Sequence, residues 1–468
     1  MTTSVVVTDF ETLLRTKAPA LPYAPQEYNR RYHDELNNIL RLYFNTLDTL
    51  IGQLSLMAST NGSVPVALGG TNLDAFGRLR VSEPYTLFDS QSRYAADNQF
   101  DTSTSGTGSS TFNSNQSSVS LAVTGGGVGS VVRQTYRSFP YQPGKGLLLL
   151  ATFLMDNGTS ANLNQKVGYF NTQNGVFFQR TSGVNSFVMR SNTSGTPSDS
   201  RSATQANWNG DKLDGTGESG YTLDLTKPQI LWMDFEWLGV GSVRCGFIID
   251  GQYIVCHTFN TANTFGTTVY MTTAILPVRY EITTTTSAVA ATLVQICSSV
   301  ISEGGFEQTS IDHVARRTTT FSGIDTAATF YPIVSIRLAS GRLGSVVLPN
   351  RVQFLPLTSQ NYEVALLKNP TLTGATWAAT VPSDSNVEFD VAATAISSVG
   401  TIAQTDYITS TGSGGTANTS VATGYNWDLQ LGTSLTDVSD IYTLAVRTVS
   451  GATTGSGVGS LSFYDLTQ

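Results

Sequence analysis

The sequence predicts a mainly β protein: one N-terminal α-helix, then a jelly-roll, lectin-like β-sandwich, then a C-terminal immunoglobulin-like β-sandwich. Three observations carry this. Charged residues make up 13% of the 468 positions, while Ser and Thr together supply 114 of them, so solubility comes from hydroxyls rather than from the roughly 25% charge of an ordinary domain. From about residue 87 onward, short apolar or alternating runs recur between Gly, Asn and Ser clusters, the pattern of sandwiches and barrels. One stretch near the N-terminus has helical periodicity instead.

Composition also excludes classes. Apolar residues reach 40%, with 22 Phe, 19 Tyr and 5 Trp, so the chain is not of the disordered class. The longest apolar run, Leu147 to Ala151, is far short of the roughly 18 residues that cross a bilayer, and no membrane insertion is expected. A net charge of −8 without clustered Lys and Arg argues against nucleic acid. The start, Met1 to Asp9, lacks the basic and apolar regions of a secretory signal, which predicts synthesis in the cytoplasm.

Along the chain, residues 1–25 read as an extended arm, Pro-rich from Ala18 to Pro25. Residues 26–57 read as an amphipathic helix with Pro25 at its start. Leu36, Leu40, Tyr43, Leu47, Leu50 and Leu54 recur at 4-3-4-3-4 spacing, an a/d seam, and Ile39, Phe44 and Ile51 widen it. An isolated helix of that length is marginal in water. It therefore packs either on its own β-domain or on copies of itself, most plausibly as a homotrimer. Residues 58–86 read as linker, 87–312 as the first sandwich and 313–468 as the second. The last hundred residues hold eight acidic side chains and one basic one, Arg447, and so are expected to face outward.

One ladder can be followed in detail. Asp250-Gly251 between apolar runs is a strong hairpin signal; it pairs Ile249 with Gln252 and sets Cys245 opposite Cys256. That pair type suits a disulfide poorly, so two reduced core thiols are expected. If Gly239-Val240-Gly241 is a three-residue loop, Glu236 falls opposite Arg244 and Arg244 opposite His257. Alternation then gives a dry face with Phe235, Cys245, Phe247, Ile249, Ile254 and Cys256. The other face carries Trp232, Glu236, Arg244, Tyr253 and His257. That second face is either a charge ladder covered by a loop or neighbour, or a glycan-binding groove in which aromatic rings stack on a sugar.

Catalytic signals are weak. Gly215 to Gly220 spells GxGxxG, but a dinucleotide site needs a strand before and a helix after; here a polar loop precedes and Tyr221 to Leu225 reads as strand. Asp211, Asp214, Glu218 and Asp224 around it could attract a cation, although the spacing is not that of an EF-hand loop. His33, His257 and His313 lie far apart, and Glu303 with Glu307 reads as a solvated loop pair. No enzyme, cofactor or metal site is expected.

The segment Asp74-Ala-Phe-Gly-Arg-Leu-Arg-Val-Ser-Glu-Pro-Tyr-Thr-Leu-Phe-Asp-Ser-Gln91 resembles one common in tailed-bacteriophage virion structural proteins of marine and cyanobacterial phages. Trp208 to Leu225, Asp234 to Phe247, Met271 to Glu281, and Lys368 to Trp377 with Asn386 to Asp390 are similar to the same family. The resemblance implies a non-enzymatic component of the virion, a tail fibre, baseplate-peripheral or head-decoration protein, whose arm and helix attach it to other virion proteins. The alternative is a host-receptor adhesin that binds glycan through a β-domain.

Overall fold

The computed structural model describes residues 30–59, 74, 83–156, 162–264, 266–285, 290–307, 309–379, 385–410, 426–450 and 454–467, without the side chains of 48–59 and 311. The chain divides into two compact units, Met1–Gly69 and Gly70–Gln468. Within the first, helix α1 spans Arg30–Ser59. Leu36, Ile39, Leu40, Tyr43 and Leu47 are half-buried, whereas Leu42 and Phe44 are exposed. The expected seam is thus one face of a real helix; Leu50 and Leu54 lie outside the described side chains, and the arm 1–25 and most of the linker 58–86 lie outside the described residues. No helix among the described residues is long and apolar enough to cross a membrane.

The described residues of the second unit form β-strands, with three single-turn 3-10 helices among their connections. Its first half contains β1 (Tyr85–Gln91), β2 (Phe100–Gly106), β3 (Gly108–Asn113), β4 (Ser118–Val123), β5 (Gly129–Thr135), β6 (Leu147–Met155), β7 (Leu163–Phe170), β8 (Gly175–Thr181), β9 (Val184–Ser191), β10 (Ser198–Thr204), β11 (Gln229–Phe235), β12 (Val243–Ile249), β13 (Gln252–Phe259), β14 (Val278–Thr284) and β15 (Ala291–Ser302). Among the described residues these form two antiparallel sheets, β13-β12-β11-β6-β15-β4-β3 with β1 beside β15, and β10-β9-β8-β7-β14-β5-β2. Their inner faces meet through ring pairs such as Tyr169 with Phe235 at 5.2 Å and Phe178 with Phe247 at 5.3 Å. The alternation along each strand supplies this core, since every second side chain points inward.

The other half contains β16 (Ile311–Ile324), β17 (Tyr331–Leu338), β18 (Val347–Pro356), β19 (Asn361–Lys368), β20 (Thr371–Thr373), β21 (Ala378–Ala379), β22 (Val387–Asp390), β23 (Ala395–Ser398), β24 (Thr401–Thr409), β25 (Ile441–Thr448) and β26 (Gly455–Asp465). The sheet β16-β26-β18 stacks on β21-β22-β17-β25-β19-β24 around a separate apolar cluster that runs from Ala315 to Phe463. The fold is mainly β, with two sandwiches.

A seam joins them. The segment 427–435, between β24 and β25, lays its backbone on the first sandwich: Thr433 N–H donates to Tyr136 O at 2.8 Å, Gln430 Nε2 to Ser138 O at 2.7 Å and Leu435 N–H to Asp101 Oδ2 at 2.7 Å. In return Arg137 Nη1 donates to Trp427 O at 2.6 Å, and Trp427 Nε1 donates to Tyr85 Oη at 2.8 Å beside Phe306. Directional bonds and aromatic contacts together resist hinge motion better than an apolar patch alone.

Two expectations need correction. Tyr221 to Leu225 is not a strand: it makes one isolated bridge, Asp214 to Thr222, within an irregular loop. The acidic C-terminal residues do not all face outward. Asp390, Asp440 and Asp465 are buried, because each carboxylate takes internal donors: Thr376, Ala392 and Ala393 N–H for Asp390, Gly432 N–H for Asp440, Asn386 and Thr467 N–H for Asp465.

Candidate functional site

The hairpin at Asp250-Gly251 forms as the sequence predicts: Ile249 pairs with Gln252, and both turn residues take positive φ, 50° and 76°, the requirement of a type I′ turn. The dry face is also as expected, since Leu231, Met233, Phe235, Cys245, Phe247, Ile254 and Cys256 all lie in the core. Both thiols are free and buried, and burial pushes both above the ordinary thiol value.

The glycan-binding row does not assemble. The loop after β11 runs over five residues, not three, since Glu236 N–H donates to Ser242 O and Leu238 and Gly239 both take positive φ. This slides β12 by two positions, so Asp234, not Glu236, faces Arg244 and forms its ion pair. Glu236 instead accepts from Ser242 N–H at 3.2 Å and Oγ at 3.0 Å. A bulge at Cys256 then places His257 opposite Cys245. An extra residue in one strand flips everything beyond it, so His257 joins Phe259 on the core side. Trp232 is fully enclosed: its ring lies over Gly246, its Nε1 donates to Ile254 O at 3.3 Å, and half-buried Tyr253 meets it edge-on at 5.5 Å. Trp232, Glu236, Arg244, Tyr253 and His257 therefore share no open surface.

His257 is a structural residue with a titration signature. Burial, then the positive charge of Arg201, holds it down at about 4, and its Nδ1 accepts from Asn209 N–H at 3.4 Å. The folded value lies below the unfolded value of about 6.5, so the unfolded chain binds the extra proton and stability falls as pH drops from about 6.5 toward 4. Allowing for screening at the ring's open edge, about 1 kcal/mol should be lost between pH 7 and pH 5. Urea midpoints at the two pH values should differ less in His257→Gln than in the wild type; an equal difference would contradict this assignment.

The GxGxxG segment is a loop, with Gly215 and Gly220 at positive φ. Its carboxylates brace the loop itself: Asp211 accepts from Leu213 and Ser219 N–H, Asp214 from Thr216 and Asp224 from Thr226. Among the described residues, no three His, Cys, Asp or Glu side chains converge as a ligand set. Glu303 is buried and Glu307 exposed, so they do not act as a pair.

The structure instead opens a groove of about 470 Å³ elsewhere on this unit, within the roughly 300–1,000 Å³ typical of small-molecule sites. Five separate segments build it: 140–145 between β5 and β6, Trp237 after β11, 272–275 before β14, Phe306, Glu307 and Thr309 after β15, and 466–467 after β26. Trp237 is fixed from two sides, its N–H donating to Tyr141 Oη at 3.2 Å and its Nε1 to Met271 O at 3.3 Å. The Tyr141 and Trp237 rings stand at 83° to each other, 5.9 Å apart, as an aromatic corner. Gln142 clamps Glu307, donating to its carbonyl and accepting its N–H at 3.0 Å. Lys145 Nζ is enclosed, makes no hydrogen bond and lies 3.8 Å from Glu307 Oε1. Trp237 is half-buried, packing against the core on one side and lining the groove on the other.

No family profile and no curated protein sequence matches the chain. Among solved structures it is similar to the carbohydrate recognition domain of Emp47p at 8% identity and TM-score 0.31, over 47% of this chain and 97% of that one. It is also similar to the CBM2 module of the evolved Dit of Lactobacillus casei BL23 phage J-1, at 5% identity and TM-score 0.30, over 48% and 99%. A carbohydrate esterase from Shiga toxin-encoding bacteriophage phi24B aligns at 10% identity and TM-score 0.28, over 47% and 99%.

Proposed function

We propose that the protein is a non-enzymatic structural component of a tailed-phage virion, attached through its N-terminal arm and helix to other virion proteins and self-associated there as a homotrimer. The family resemblance of Asp74 to Gln91 supports the class. The observation that carries the structural role is the seam at 427–435. It makes the two sandwiches one stiff body, which suits a part that transmits position rather than one that opens around a substrate. The half-buried apolar face of α1 supports attachment, because a lone helix of that length gains most of its stability from packing. The protein is thus made in the host cytoplasm and located in the particle.

Deletion of residues 1–57 tests this. The second compact unit begins at Gly70, so the truncated chain should fold, with β-type circular dichroism retained, yet be absent from purified particles. It should also run as a monomer by light scattering, where the full chain runs as an oligomer. Incorporation at the full-length level would overturn attachment through the arm and helix.

A further inference from the structure

We propose that the groove between Trp237, Lys145 and Thr273 binds a carboxylate-bearing saccharide, a sugar of the uronic- or sialic-acid type. This goes beyond the structural role and can fail while that role stands. The aromatic corner of Tyr141 and Trp237 is rigid, because both of Trp237's N–H groups are already committed. A fixed, partly exposed ring favours a ligand with a flat apolar C–H face, and a pyranose has one.

The hydrogen-bonding groups around that corner are lopsided toward donors. Thr272 Oγ1 accepts from Asn174 Nδ2 at 2.7 Å, Thr273 Oγ1 from Ile275 N–H at 3.0 Å, and Thr467 Oγ1 from Val346 N–H at 2.8 Å. A hydroxyl that accepts from the protein keeps its own proton to donate, so three rim hydroxyls offer O–H to a ligand. Lys145 adds an ammonium that, among the described residues, has one carboxylate within 4 Å, that of Glu307 at 3.8 Å. Gln142's amide is held on the Glu307 backbone by one N–H and its oxygen. A ligand rich in acceptors, with one negative charge, completes this set. Lys145 is 15% exposed and Glu307 80%. The ligand carboxylate therefore reaches the ammonium by taking the place of the Glu307 side chain, which can swing into water at little cost.

The test uses the full-length protein on a panel of uronic- and sialic-acid-terminated oligosaccharides, each with its neutral counterpart, and titration calorimetry on the best pair. Binding should be confined to, or about tenfold stronger for, the acidic members. Trp237→Ala should weaken it at least about tenfold. Because Trp237 also touches the core, Lys145→Met serves as the second variant: it keeps the buried stem and should abolish the acid preference while circular dichroism stays unchanged. Glu307→Gln removes the competing carboxylate and should tighten binding several-fold. No binding across the panel, a preference for neutral sugars, or affinity unmoved by all three substitutions would overturn the proposal.

Discussion

Trp232→Ala should lower the unfolding free energy by about 3–5 kcal/mol, the usual cost of removing a large buried aromatic side chain. The indole is wholly enclosed although it lies on the sheet face opposite the main core. Gly246 makes this possible: a Cβ there would meet the Trp232 Nε1 at 2.8 Å and the Ile254 carbonyl at 1.8 Å. With the ring removed, a bare glycine lies beneath, and strand backbones do not collapse into the space as side chains do. Against a total stability of about 5–15 kcal/mol, such a loss should be plain in a urea melt followed by circular dichroism. A loss below about 1 kcal/mol with the fold intact would mean that the indole is a surface group, and would return it to the glycan-binding row.

Trp232 also marks the limit of what the sequence discloses. Its strand, its partner strands and the identity of the dry face are local properties, set by period-two alternation and by Asp250-Gly251. Register is not local. A loop two residues longer than expected and one bulge at Cys256 sufficed to replace Glu236 by Asp234 opposite Arg244 and to turn His257 inward. The longer loop goes with two left-handed residues, Leu238 and Gly239, and a leucine in that conformation is one that no propensity would nominate.

Strands in which hydroxyls replace apolar residues give no periodic signal in the sequence. Phe100–Gly106, Gly108–Asn113 and Ser198–Thr204 are largely solvated on both faces, so no alternation betrays them. Val347–Pro356 carries two prolines, Pro349 and Pro356, and still forms a strand because β18 lies at a sheet edge, where proline is tolerated. The groove was illegible for a different reason. Its residues come from five segments spread between Pro140 and Thr467, and each alone reads as an ordinary loop. The scarcity of charge acquires a sharper meaning too. Several of the few carboxylates, such as Asp390 and Asp465, serve as internal acceptors for loop backbones, leaving the surface to Ser and Thr.

Asp234→Ala should cost about 3 kcal/mol or more, a second large effect with a distinct signature. Asp234 is fully buried and Arg244 largely so, and the two form an ion pair across β11 and β12. Removing the carboxylate leaves the guanidinium in a poorly solvated place without its counter-charge, the expensive way to break such a pair. Replacing both partners differs in kind, because it removes two desolvation penalties together with one attraction. The double variant Asp234→Leu with Arg244→Met should therefore be more stable than Asp234→Ala alone and close to wild type, with a favourable coupling in the double-mutant cycle. Urea midpoints for the wild type, the two single variants and the double variant decide the matter. If the single and double variants lose equal stability, the side chains act by packing and not as a charge pair. If Asp234→Ala loses less than about 1 kcal/mol, water reaches the pair and screens it as at an exposed site.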